Sequence, residues 1–126
     1  LASAGNSQVI FCLRGMKSEF GAPHRNMVDF AQVPTVKRLT RMPVCIDPSH
    51  SVGSRDVAPD GVLELCHATA QGVMAGANMV LVDFHPAPQK ALVDGPQALT
   101  LNELDVFLKD MEIARKAYLE RVRLWQ

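Results

Sequence analysis

Three short apolar runs punctuate the chain: Gln8 to Leu13 (QVIFCL), Pro43 to Asp47 (PVCID) and Asn78 to Phe84 (NMVLVDF). Each is nearly continuous and rich in β-branched or aromatic residues, the pattern of strands covered on both faces of a parallel sheet. Between and after them, apolar positions recur at helical spacing. Val33 to Leu39 carries Pro34 in its first turn and closes on Lys37, Arg38 and Arg41, the charge order that a helix dipole favours. Pro59 to Ala75 repeats Val62, Leu63, Cys66, Ala70, Val73 and Met74, with Gly76 as the stop. The last segment opens on Thr100 and Glu103 at capping-box spacing. It then aligns Leu104, Phe107, Leu108, Met111, Tyr118, Val122 and Trp125 on one face. The order β-α-β-α-β-α predicts the α/β class.

Length and composition narrow the picture. The 126 residues make one domain or part of one, and 48% hydrophobic with 21% charged residues exclude a disordered chain. Thirteen basic residues balance 13 acidic ones, so no overall field draws the protein to nucleic acid or to a membrane surface. No apolar run reaches the roughly 18 residues of a membrane span, and no signal peptide opens the chain. Three cysteines without CxxC spacing point to reduced thiols and a cytoplasmic setting. The chain begins at Leu1 rather than Met, as a processed or trimmed polypeptide does.

In parallel sheets chemistry gathers beyond the carboxyl ends of the strands. The first run delivers Arg14 and Gly15, the second Asp47-Pro48-Ser49-His50, and the third Asp83 and His85, with Asp94 following. A guanidinium at Arg14 suits a phosphate or carboxylate; pairing with a neighbouring carboxylate is the alternative. His50, Asp83 and Asp94 together offer mixed nitrogen and oxygen ligands to a divalent ion (Mn, Fe, Co or Zn). Against this, Asp47 or Asp83 can cap a turn, and Asp94 before Gly95 is ordinary turn chemistry. His24 and His67 read as surface or packing residues. Cys12 and Cys45 are expected inside buried strands and Cys66 on the apolar face of its helix. Lys37, Arg38 and Arg41 read as a solvated helix end.

The segments CLRG (Cys12 to Gly15), RNMVD (Arg25 to Asp29), DPSH (Asp47 to His50) and HPAPQKALVDGPQ (His85 to Gln97) occur in this order. From about Ala4 to Leu101 the chain resembles the smaller, microbial type of 3-deoxy-D-arabino-heptulosonate 7-phosphate (DAHP) synthase. The resemblance implies a TIM (β/α)8 barrel of which residues 1–126 are the C-terminal portion. Three βα units would match strands six to eight and their helices, residues 1–5 the end of a preceding helix, and residues 100–126 a long terminal helix. It implies condensation of phosphoenolpyruvate with erythrose 4-phosphate, the first step of the shikimate pathway towards aromatic amino acids, with a divalent metal ion. Arg14 would contact the phosphate of phosphoenolpyruvate. His50, Asp83 and Asp94 would hold the metal, with Asp47 and His85 behind them. Asp83 stands where the family usually has Glu, a side chain one methylene longer.

A complete barrel takes about 250 residues, and the family's cysteine ligand and Lys-Pro-Arg segment are absent from this sequence. The expectation is a piece that needs the N-terminal barrel half or a companion chain, is inactive alone, and works in a cytoplasmic homo-oligomer without nucleic acid or membrane. Two alternatives stand beside it. One is the related 3-deoxy-D-manno-octulosonate 8-phosphate synthase, which shares the HPAP-like and DGP segments. The other is a non-catalytic barrel remnant serving as an interaction module, which the apolar face running on to Trp125 would suit.

Overall fold

The computed structural model describes residues 1–126, the Ala2 side chain excepted. Three parallel strands, β1 (Phe11–Leu13), β2 (Val44–Ile46) and β3 (Met79–Val80), pair in the order β1-β2-β3. In register, Cys12 lies beside Cys45 and Cys45 beside Met79. Helix α1 (Val33–Thr40) connects the first two strands. A short helix α2 (Pro48–Val52) and then α3 (Glu64–Met74) connect the second and third, and α4 (Leu104–Leu124) closes the chain. The α/β class is as the apolar pattern predicts.

The strands depart from expectation in their burial. All of β2 is buried, but Phe11 and Cys12 of β1 and Met79 of β3 are exposed. Side chains alternate along a strand. Val44 and Ile46 therefore face the helices, in a core with Phe30, Val33, Val52, Ala68 and Ala77. Cys45 faces the other way and is covered by its neighbours in register. Only a central strand has neighbours on both sides; β1 and β3 are edges, and their apolar runs are half uncovered.

Helix boundaries shift for local reasons. The helix expected from Pro59 begins at Glu64, because Asp60 accepts a hydrogen bond from Val62 N and Ala58 N donates to Val62 O, closing a turn. Lys37 is not merely solvated: its Nζ donates to Gly76 O at 2.9 Å, tying the end of α1 to the end of α3. The capping box of Thr100 and Glu103 forms as predicted, through a 3-10 turn (Leu101–Glu103) that leads into α4. The apolar stripe of α4 is narrower than its sequence suggests. Phe107 and Ala114 are buried and Met111, Tyr118 and Val122 half-buried, whereas Leu104, Leu108 and Trp125 are exposed. Phe107 meets Phe84 edge-on at 5.8 Å in a second core with Leu65 and Leu99. Residues Ala2–Ala4 form one 3-10 turn. Among the described residues, no helix is long and apolar enough to cross a membrane.

Two loops bring the chemistry to one end of the sheet. After β3 the chain pairs Phe84 with Leu99, so residues 85–98 form a loop closed at its base by Leu99 N to Asp83 O and His85 N to Leu99 O, both 2.8 Å. After β1, Met16 bridges Met27 and folds residues 17–26 back on themselves.

Candidate functional site

Asp47, the residue following β2, is 1% exposed. Its N–H continues the ladder to Leu13 O at 2.8 Å, which fixes its position at the strand end. Its Oδ1 caps α2, accepting from His50 N at 3.1 Å and from His50 Nδ1 at 3.0 Å. A carboxylate can only accept, so Nδ1 carries the proton of this contact and Nε2 is the ring nitrogen turned away from Asp47. Asp47 Oδ2 is 3.0 Å from Arg14 Nε and 2.9 Å from His50 Nδ1, but neither contact is aligned as a hydrogen bond. Arg14 is held through Nε alone, about half of its side chain is exposed, and its two Nη groups remain for a ligand. Of the two readings of Arg14, the pairing with a carboxylate is the one seen here.

Nε2 of His50 faces Asp94 Oδ1 at 3.5 Å, and Asp83 Oδ2 lies 3.9 Å from His50 Nδ1. Ligand atoms from His50, Asp83 and Asp94 all fall within 4.8 Å of one another. The imidazole comes from α2 after β2, Asp83 from the end of the third apolar run, and Asp94 from the loop beyond it. Asp94 adopts the left-handed backbone (φ +56°), which Asp tolerates better than most residues. The next residue must be glycine, because a Cβ on Gly95 would sit 2.4 Å from Pro88 O.

Amides and a hydroxyl that sequence reasoning left without roles fasten these pieces together. Asn26 Nδ2 donates to Arg14 O at 3.1 Å and to His50 O at 3.0 Å, joining the ends of β1 and β2. The loop can cross this closely only because residue 15 is glycine (φ +76°); a Cβ there would meet Met27 O at 2.8 Å. Ser49 Oγ accepts from Asp83 N at 3.0 Å. Gln97, 3% exposed, donates to Asp83 Oδ2 at 3.1 Å and to Asp94 Oδ1 at 3.0 Å. Arg25, also overlooked, places Nη1 3.9 Å from Asp94 Oδ1. An uncharged amide inside an otherwise apolar segment, as Gln97 stands before Ala98 and Leu99, is the one signal that could have marked such a residue.

Other candidates lie elsewhere. His85 accepts from Ala87 N at 3.0 Å through Nδ1 and so shapes its own loop. His24 contacts Glu64 at 2.6 Å, and His67 contacts Asp60 at 2.9 Å on the surface. Cys12 is exposed rather than buried, since β1 is an edge. Burial, the adjacent Cys12 and the charge of Asp47 push the Cys45 thiol up to about 12, so it stays protonated and is a poor cation ligand. Burial also raises Cys66, to about 11. Behind the loop, Arg55 grips Glu103 through two nitrogens at 2.7 and 3.0 Å and donates to Ala98 O at 2.8 Å. Glu103 is thereby held well below the usual carboxylate range, at about 2, and Arg55 is raised in turn.

The donor set fits a borderline divalent cation. An imidazole is oriented by a carboxylate on one of its nitrogens, and two further carboxylates lie within 3.9 Å of the ring nitrogens. The family model for the DAHP synthetase I family matches residues 1–120. The chain belongs to the DAHP synthetase I family. It is 35% identical over 112 residues to a phospho-2-dehydro-3-deoxyheptonate aldolase of Thermotoga maritima, a match covering 89% of this chain and 31% of that protein. A 2-dehydro-3-deoxyphosphooctonate aldolase of Desulfosudis oleivorans is 33% identical over 124 residues, covering 94% of this chain and 43% of that protein. The crystal structure of the T. maritima phospho-2-dehydro-3-deoxyheptonate aldolase (DAHP synthase) superposes with a TM-score of 0.79 and 32% identity. That superposition covers 92% of this chain and 32% of that one. The chain therefore spans about a third to two-fifths of the length of these family relatives.

Proposed function

We propose that this chain is the C-terminal portion of a (β/α)8 barrel that condenses phosphoenolpyruvate with erythrose 4-phosphate to give DAHP, using a divalent cation. The observation that carries the reading is the convergence of Arg14, His50, Asp83 and Asp94 around buried Asp47 at one end of the sheet. In this reading Arg14 turns its two Nη groups to the phosphate of phosphoenolpyruvate, a forked match of donors to oxygens. Asp47 orients both Arg14 and His50. His50 Nε2, Asp83 and Asp94 hold the cation, which when bound supplies Lewis acidity towards the sugar aldehyde. Carbon 3 of the enol acid bonds to that aldehyde carbon, water adds at carbon 2, and the carbon–oxygen bond to phosphate breaks. Asp83, shorter than the Glu usual in the family, is hydrogen-bonded by Gln97 at 3.1 Å.

Residues 1–5 are then the end of a preceding helix and residues 100–126 the closing helix of the barrel. The exposed edges β1 and β3 would pair with the rest of the barrel, since raw edges recruit partners. Soluble cytoplasmic placement and assembly into a homo-oligomer accompany the reading. The likeness to 2-dehydro-3-deoxyphosphooctonate aldolases favours a second reading, with arabinose 5-phosphate as acceptor. The test is phosphate release by the complete polypeptide that carries this segment, with each sugar phosphate in turn. Turnover with erythrose 4-phosphate, abolished by Asp94→Ala, is expected, and none from the 126-residue chain alone. Preference for arabinose 5-phosphate would favour the second reading. Absence of both turnover and divalent binding would leave an interaction module.

A further inference from the structure

Two carboxylates that converge on one point repel each other, and an empty pair of this kind tends to splay or to take up a proton. Asp83 and Asp94 are separated by a segment rich in turns, yet their ligand oxygens lie within 4.8 Å of each other. The group between them is the Gln97 amide, whose two N–H bonds run one to each carboxylate, at 3.1 and 3.0 Å. Gln97 is 3% exposed, and its own backbone N–H closes the turn onto Asp94 O at 3.3 Å. Its side chain is therefore anchored at both ends. Each carboxylate oxygen has two lone pairs, so accepting from the amide leaves a lone pair on the same oxygen for a cation.

We infer that Gln97 is the positioning residue of the cation site: its amide holds Asp83 and Asp94 convergent before the cation arrives and keeps hold of them afterwards. The inference rests on the proposed role of His50, Asp83 and Asp94 and adds to it the residue that aims the two carboxylates. It also accounts for a site built with Asp83. A short carboxylate has less reach than the longer Glu, and an amide that fixes its rotamer lowers the entropy lost when a cation is bound.

The experiment uses the complete polypeptide that carries this segment, stripped of metal and titrated with Co(II) by calorimetry and by visible absorption. Gln97→Met keeps length and apolar packing but has no N–H, and Gln97→Ala removes the side chain. The expected result is a 10- to 100-fold loss of Co(II) affinity in both variants, the range found when groups supporting metal ligands are removed, with a changed Co(II) absorption band. Circular dichroism and thermal melting identify which variant folds, and either one that does decides the matter. Wild-type affinity and an unchanged band in Gln97→Met would overturn the inference by reducing Gln97 to packing. His50→Ala separates the two layers. If wild type binds Co(II) and His50→Ala does not, the cation site stands and only the Gln97 result judges the inference. If neither wild type nor His50→Ala binds, the cation site and the inference fall together.

Discussion

At the carboxyl end of β2 the polar groups are the buried ones. Asp47 and Gln97 are 1% and 3% exposed, and Ser49 and Ser51 are fully covered. Along the flanks of the same molecule it is the apolar groups that stand in solvent: Phe11, Met79, Leu108 and Ile113, with Trp125 at 89%. Burying polar groups is costly unless each finds a partner. Here most partners come from within the chain: Leu13 O, His50, Asp83 and Asp94 by hydrogen bonds, with Arg14 beside Asp47 Oδ2 as an ion pair. Exposing apolar groups is merely unrewarded, and the flanks find no cover among the described residues. The contrast shows what 126 residues can finish alone. Loops from three consecutive strands complete a polar rim, whereas the sheet edges and the outer face of α4 need surface that these elements do not supply.

The rim should be the more sensitive region, and Asp47→Ala is the sharpest way to break it. The substitution leaves His50 Nδ1 half-buried without its acceptor and frees Arg14. Removing one partner of a buried ion pair costs about 3–5 kcal/mol, and Arg14, half solvated, recovers some of that. A loss of about 2–3 kcal/mol in the urea unfolding free energy is expected, together with loss of cation binding. A change below about 0.5 kcal/mol, the usual surface value, would mean that the rim is no better built than the flank.

The next effect is smaller and depends on pH. Arg55, first among its causes, holds Glu103 at about 2, against an ordinary value near 4.5. A carboxylate depressed in the folded state adds stability that is fully present above its unfolded value and is lost as pH falls towards its folded one. Wild type should therefore exceed Glu103→Gln by about 1 kcal/mol near neutral pH, after allowance for a pair 30% exposed on each side. The difference should shrink below about pH 4.5 and vanish near pH 2. Unfolding midpoints at stepped pH measure it. A difference that persists to pH 2 would show that the charge of Glu103 is not what stabilises the fold.

How far the sequence disclosed each region follows from the same contrast. The apolar run PVCID marked β2 because its burial is decided by immediate neighbours. The runs around β1 and β3 read as equally buried, although their exposure depends on what lies beyond an edge, which a local pattern cannot report. Arg14, His50, Asp83 and Asp94 were visible because strand ends are where chemistry gathers and because ionisable residues after apolar runs stand out. Asn26 and Gln97 were not, since an amide acquires meaning only from the two loops it joins. Helix α2 escaped too: five residues beginning Pro-Ser carry too little periodicity to register, and it is the Asp47 cap that makes them helical.

The smallest effect tests the flank itself. Ile113 is 67% exposed on α4, beside an apolar groove lined by Leu63, Cys66, Val106 and Phe107. A side chain already in water loses little when made polar, so Ile113→Ser should shift the unfolding free energy of the 126-residue chain by less than about 0.5 kcal/mol. Burying an isoleucine is worth about 1.5–3 kcal/mol. If further barrel elements cover α4 in the complete polypeptide, the same substitution should cost about 2 kcal/mol there. The two unfolding free energies, measured side by side, separate a surface that is naturally wet from one awaiting a partner. Equal, small losses in both would leave the groove open in the whole protein, and would remove the flank as a reason for placing this chain within a larger barrel.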